Sequence, residues 1–181
     1  MRVRHAATVP DDPDRTYGMV HAIDLNRSRA IRMLFALRGL PSRRRVHPGG
    51  PHRSGPFLDS ALAQGWKILE ERSHEIVVGA VTQPWKPVVE FRGLPTPDEF
   101  IAFAEPGFAK IAWSIAVEAA TGGSVVTLET RVLTTDPVSR RRFRWYWLVF
   151  SPGIKLIRHL ILALLRRELR RDRSAFRPPQ A

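Results

Sequence analysis

Residues 110–150, KIAWSIAVEAATGGSVVTLETRVLTTDPVSRRRFRWYWLVF, contain the change of periodicity that decides the fold. Over 110–119, Ile111, Trp113, Ile115 and Val117 fall on one side of an alternation, and Lys110, Ser114 and Glu118 on the other. Over 124–133 the alternation resumes, with Val126, Leu128, Thr130 and Val132 set against Thr127, Glu129 and Arg131. Successive strand residues point to opposite faces, so each segment predicts a strand with one apolar and one polar side. Thr121-Gly122-Gly123 supplies the turn between them, giving an antiparallel hairpin. Thr135-Asp136-Pro137 is then a helix start: a capping residue followed by proline at the first helical position. Beyond it the apolar repeat becomes helical. Phe143, Tyr146, Trp147 and Phe150 fall at i, i+3, i+4 and i+7 as one aromatic stripe.

Towards the C-terminus, Ser151-Pro152-Gly153 predicts a kink or brief break. Ile157, Leu160, Ile161, Leu164 and Leu165 continue the apolar face to about residue 171, with Lys155, His159, Arg166 and Arg170 opposite. Towards the N-terminus the pattern predicts a strand over 2–9 and a short helix over 11–22. A second helix is expected over about 26–37, capped by Asn26 and bearing Ile31, Leu34 and Phe35. A loop dense in arginine, glycine and proline follows at 41–56, then a short helix at 57–64. Residues 66–72 predict a strand with Trp66, Ile68 and Glu70 on one side. Residues 74–82 predict another, in which Gly79 marks a bend or a close approach. Shorter extended pieces are expected near 88–92 and 100–104.

This order of a strand, two short helices, about six strands and one long final helix resembles the SRPBCC superfamily, which includes START lipid-transfer domains and polyketide cyclases. The local resemblance lies in TLETRVLTTDPVSRRRFRWYW followed by a proline-broken apolar helix. It also lies in the pairing of DLNRSRAIRMLFALRGLP with GWKILEERSHEIVVGAVTQPWKP. It spans residues 3–171 and is similar to bacterial members of that superfamily. The arginine-rich loop and the short first helix depart from the usual pattern. The resemblance implies an α+β helix-grip fold, in which a curved antiparallel sheet of about six to seven strands wraps around the long C-terminal helix and leaves a cavity between. One such domain would occupy 1–173, followed by a disordered tail at 174–181. The candidate ligand-binding residues are Trp113, Ile115, Val117, Leu128, Thr130, Phe143, Tyr146, Trp147 and Phe150. Apolar sites are lined in this way, with few polar groups to orient a ligand. The same residues could equally fill a closed core.

Composition bounds the remaining possibilities. At 181 residues the chain can build one well-buried core. The absence of cysteine removes disulfides and thiol chemistry and fits a reducing compartment. The net charge is +12, and 25 of the 29 basic residues are arginine. Residues 25–53 carry eight basic and no acidic side chains, and 137–181 carry twelve basic and two acidic. Between them, 54–136 carries six basic and eleven acidic residues. Such basic zones suit solvated helix faces or an anionic membrane surface. Nucleic acid is disfavoured, because no helix-turn-helix or aromatic sheet platform accompanies the charge. The opening residues lack a secretory apolar stretch, and 145–165 is interrupted by charges and by Pro152. The expected setting is the cytoplasm, with the basic helix able to hold the protein at the periphery of a membrane.

The six histidines, His5, His21, His47, His52, His74 and His159, show no metal-ligand spacing, so no metal or cofactor is expected. Glu129 and Arg131 share a strand face; they suit a rim ion pair better than an acid–base pair at a reacting carbonyl. Trp145 and Leu148 point away from the aromatic stripe, beside Arg141 and Arg144, either as a membrane-interface or dimer contact would or with the loop at 41–56 packed over them. Three functions follow as expectations. The first is binding of a hydrophobic small molecule or lipid without catalysis, and so without assigned catalytic residues. The second is a cyclase-like or hydrolase-like enzyme using Glu129, His74 or Tyr146 in the same cavity. The third is a basic interaction protein with no usable cavity.

Overall fold

β-Branched residues in alternating runs turn the middle of the chain into a sheet. The structure, a computed structural model, describes residues 1–24, 56–93 and 96–175, with backbone alone at 154, 157, 158 and 170–175. Its strands are β1 (Arg2–Val9), β2 (Lys67–Arg72), β3 (Glu75–Thr82), β4 (Phe91–Arg92), β5 (Ala109–Ala120) and β6 (Gly123–Thr134). They form one open antiparallel sheet in the order β1-β6-β5-β3-β2, with β4 also pairing with β3. Among the described residues the helices are α1 (Pro13–Ala22), α2 (Phe57–Ala63), α3 (Pro97–Ala102) and α4 (Pro137–Ala175). The fold is therefore α+β. The expected helix at 26–37, the loop at 41–55, and His47 and His52 lie outside the described residues.

The hairpin of β5 and β6 places Trp113 opposite Thr130, Ile115 opposite Leu128 and Val117 opposite Val126. The two apolar sides thus coincide on one sheet face. β3 extends that face, with Val78 beside Trp113 and Ile76 beside Ile115. Leu162, Leu165 and Leu169 of α4 and Val20 of α1 pack on it to complete the main core. A second core, at the other end of the sheet, joins Ala109 and Val132 to Phe143 and Tyr146.

The polar sheet face is partly covered as well. Lys110 points there, and its ammonium donates to the carbonyls of Ile101 (2.5 Å) and Phe103 (3.2 Å) at the end of α3. Free carbonyls at a helix C-terminus attract a cation. Burial lowers the Lys110 pKa. Phe100 of α3 and Leu69 of β2 occupy the space beside Gly79, where any Cβ would collide with the Leu69 side chain. This is the close approach expected at Gly79, and a larger residue there would require the Leu69 side chain to move.

Four expectations are corrected. A register shift between Ile68 and Glu70 puts these residues on opposite sides of β2, because the bulge inserts Leu69 against Gly79. The extended piece expected at 100–104 is instead largely helical: Thr96 accepts from the Glu99 amide at 3.2 Å, and Pro97, Asp98 and Glu99 form the first turn of α3. Of the kink or break expected at 151–153, the break is absent: α4 continues through Pro152 as one helix. It also reaches Ala175, so Ser174 and Ala175 belong to the helix and not to the expected tail. Residues 176–181 lie outside the described residues.

The start of α4 carries a pH signature. Asp136 accepts from the Ser139 hydroxyl (2.5 Å), the Ser139 amide (2.9 Å) and the Gly107 amide (2.6 Å). These bonds, the Ser139 hydroxyl foremost, hold its carboxyl well below the usual carboxylate range. A depressed folded-state pKa contributes stability above the unfolded value of about 4, and that contribution disappears as pH falls further. Asp136→Asn is expected to flatten the fall in melting temperature between pH 5 and the most acid pH at which the protein stays folded. Thermal melts of both proteins across that range check this.

Candidate functional site

The apolar hairpin face and the aromatic stripe do not close fully on one another. Between them lies a cavity of about 250 Å³. Its sheet wall is formed by Ile111, Trp113, Ile115, Leu128, Thr130 and Val132, and its helix wall by Phe143, Tyr146, Trp147 and Ile161. Ile23, Phe57 and Trp66 complete the lining among the described residues.

Two aromatic groups shape the space. Phe57 and Trp66 lie against Trp113, with ring centroids 5.5 Å and 6.1 Å away. On the helix, Phe143 stacks with Trp147 at 6.0 Å, and Tyr146 lies 5.8 Å from Phe143. Aromatic faces and edges arranged this way favour flat apolar guests through dispersion and quadrupole contacts. Among the lining residues on these apolar faces, Thr130 and Tyr146 carry hydroxyls, and Trp66, Trp113 and Trp147 carry indole N–H groups.

Seven of the nine sequence-derived ligand residues line this cavity: Trp113, Ile115, Leu128, Thr130, Phe143, Tyr146 and Trp147. Val117 belongs instead to the main core with Val126. Phe150 lies behind the lining, its ring 4.9 Å from Tyr146. Ile111, Val132 and Ile161 were on the correct apolar faces but outside the nine. Ile23, Phe57 and Trp66 carry no periodic signal that ties them to the cavity. Their role depends on where the chain crosses its end.

Glu129 and Ser114 are also part of the wall, but strand alternation sends their side chains to the opposite face. There the Glu129 carboxylate accepts from Arg2 at 2.7 Å and from Arg131. These hydrogen bonds, that of Arg2 foremost, lower its pKa and keep it ionised. The ion pair is at the rim: the Arg2 and Arg131 side chains are largely exposed. His74 pairs with Asp14 at 2.8 Å and is not part of the cavity lining. Among the described residues no group of three or more His, Asp or Glu side chains is arranged to hold a metal.

A wider groove of about 720 Å³ adjoins the cavity. Val132, Phe143 and Trp147 belong to both linings and so form the wall between them. Leu133, Arg140, Arg144 and Leu148 line the groove alone. Among the described residues no helix is long and apolar enough to cross a membrane. No protein-family model matches the chain, and no curated protein sequence matches it.

Proposed function

We propose that the chain is a helix-grip protein of the START-like, SRPBCC type that binds a small, flat hydrophobic molecule between its sheet and α4, without catalysis. The observation that carries this is the apolar cavity of about 250 Å³ between aromatic walls. Its size selects among hydrophobic ligands. At about 30 Å³ per molecule it has the room of roughly eight waters, below the roughly 300–1,000 Å³ of clefts for drug-sized ligands. A one-ring or two-ring compound fits this space, and a whole diacyl lipid does not.

Burying about 150–250 Å² of aromatic surface, the amount a large aromatic side chain buries, is worth about 4–6 kcal/mol at 25 cal/mol per Å². Association costs reduce this, so a bare aromatic guest should bind no more tightly than tens of micromolar. Thr130 would add affinity for a ligand carrying one hydroxyl or carbonyl. Among the described residues, the carboxylate expected to serve an enzyme in the same space is turned away from it: Glu129 is held ionised by arginine on the opposite face.

Titration with 2-naphthol and single-ring phenols, followed by tryptophan fluorescence and native mass spectrometry, tests the proposal. One equivalent should bind. Thr130→Trp, which fills the space opposite Trp113, should weaken binding at least about tenfold while the far-ultraviolet dichroism stays unchanged. Absence of binding across such a series, or binding indifferent to Thr130→Trp, would sink the proposal.

A further inference from the structure

The outer face of the first half of α4 is apolar where a solvated helix would be polar. Val138, Trp145, Leu148, Val149 and Leu156 are all exposed, Trp145 by 67% and Leu148 by 66%. At about 100° per residue these positions fall on one side of the helix, opposite the buried Phe143 and the half-buried Trp147. Leu133, also exposed, lines the same groove as Leu148 and carries the patch onto the end of β6.

The charges around this patch have one sign. Residues 137–167 contain eight basic side chains and no acidic one. Arg140, Arg141, Arg142 and Arg144 are exposed, and none of them forms an ion pair among the described residues. Exposed apolar side chains flanked by unpaired arginines fit the boundary between anionic headgroups and acyl chains.

We propose that this face of α4 docks on an anionic lipid bilayer, with Trp145, Leu148 and Val149 inserted at the headgroup level and the arginines on lipid phosphates. A second copy of the chain is a poorer occupant. In a two-fold pair the patch meets itself, so Arg141 and Arg144 would be brought towards their own counterparts with no carboxylate between them. A bilayer supplies the missing negative charge. Docking through the outward face is independent of what fills the inner cavity.

Flotation with phosphatidylcholine vesicles, with and without phosphatidylglycerol, tests this on the full chain. Binding should require phosphatidylglycerol and weaken as salt rises. Arg141→Gln and Arg144→Gln should each weaken it about fivefold. Trp145→Ser should reduce it by a similar or larger factor, with the melting temperature unchanged because the side chain is exposed. Thr130→Trp should bind vesicles as the parent does, which separates this result from the fate of the cavity proposal. No binding to phosphatidylglycerol vesicles, equal binding to neutral ones, or a dimer that Trp145→Ser dissociates would overturn the inference.

Discussion

Leu165→Ala should lower the unfolding free energy by about 2–5 kcal/mol, the range for removing a fully buried leucine side chain. Leu165 is 2% exposed and belongs to the cluster that joins α4 to Ile76, Val78, Ile115 and Leu128 of the sheet. The loss combines the transfer free energy of the removed methyl-bearing carbons with the cavity left among rigid neighbours. For a domain of this length each kcal/mol shifts the melting temperature by about 2–4 °C, so a fall of roughly 4–20 °C is expected. Calorimetry or a dichroism melt reads this directly. The same substitution at exposed Leu156 should change the melting temperature by a degree or two at most. Equal effects at the two positions would mean that α4 does not pack on the sheet through Leu165.

Gly123→Val should be comparably damaging for a different reason. Gly123 opens β6 with φ at +154°, and a Cβ there would collide with the Val9 carbonyl oxygen and approach Pro10 and Asp11 backbone atoms. No rotamer relieves a collision between Cβ and main chain, so β1 must move away from β6 or the turn must rebuild. Strain of this kind costs about 1–3 kcal/mol, and lost pairing near Val9–Ser124 adds to it. The expected result is a lower melting temperature together with faster amide exchange in the last residues of β1. Gly122→Ala, where nothing lies within 4 Å of the added carbon, should cost less, through its φ of +79° alone. A Gly123→Val protein as stable as the parent would contradict the register of β1 on β6.

The contrast between what the chain made legible and what it hid has a physical origin. The hairpin and the start of α4 could be read because each follows from a repeat of two or 3.6 residues or from a local cap. The same kind of local signal marks α3: Thr96, Pro97, Asp98 and Glu99 form a helix start as clear as the one at 135–137. It was overridden by Phe100, Ile101 and Phe103, whose spacing also suits a strand. The bulge at Leu69 has no local signature, because it is set by space beside Gly79 on the neighbouring strand. The cavity divides in the same way. Its hairpin and helix walls follow from periodic faces, which is why Trp113, Leu128, Phe143 and Trp147 could be named. Ile23 and Trp66 reach it from the chain between elements and Phe57 from the first residue of α2, placements that periodicity does not encode.

An open sheet leaves two borders at which another chain could add a strand, and both are guarded here. On one, Lys67, Glu70, Glu71 and Arg72 put charge on most of β2, and the bulge bends the ladder. On the other, Arg2 and Arg4 put charge on β1 itself, and the Arg166 guanidinium reaches across from α4 to donate to the Thr8 carbonyl at 3.0 and 3.2 Å. Such devices discourage edge-to-edge polymerisation. Aggregation of this protein, where it occurs, should therefore begin from the greasy outer side of its final helix and not by growth of cross-β fibrils.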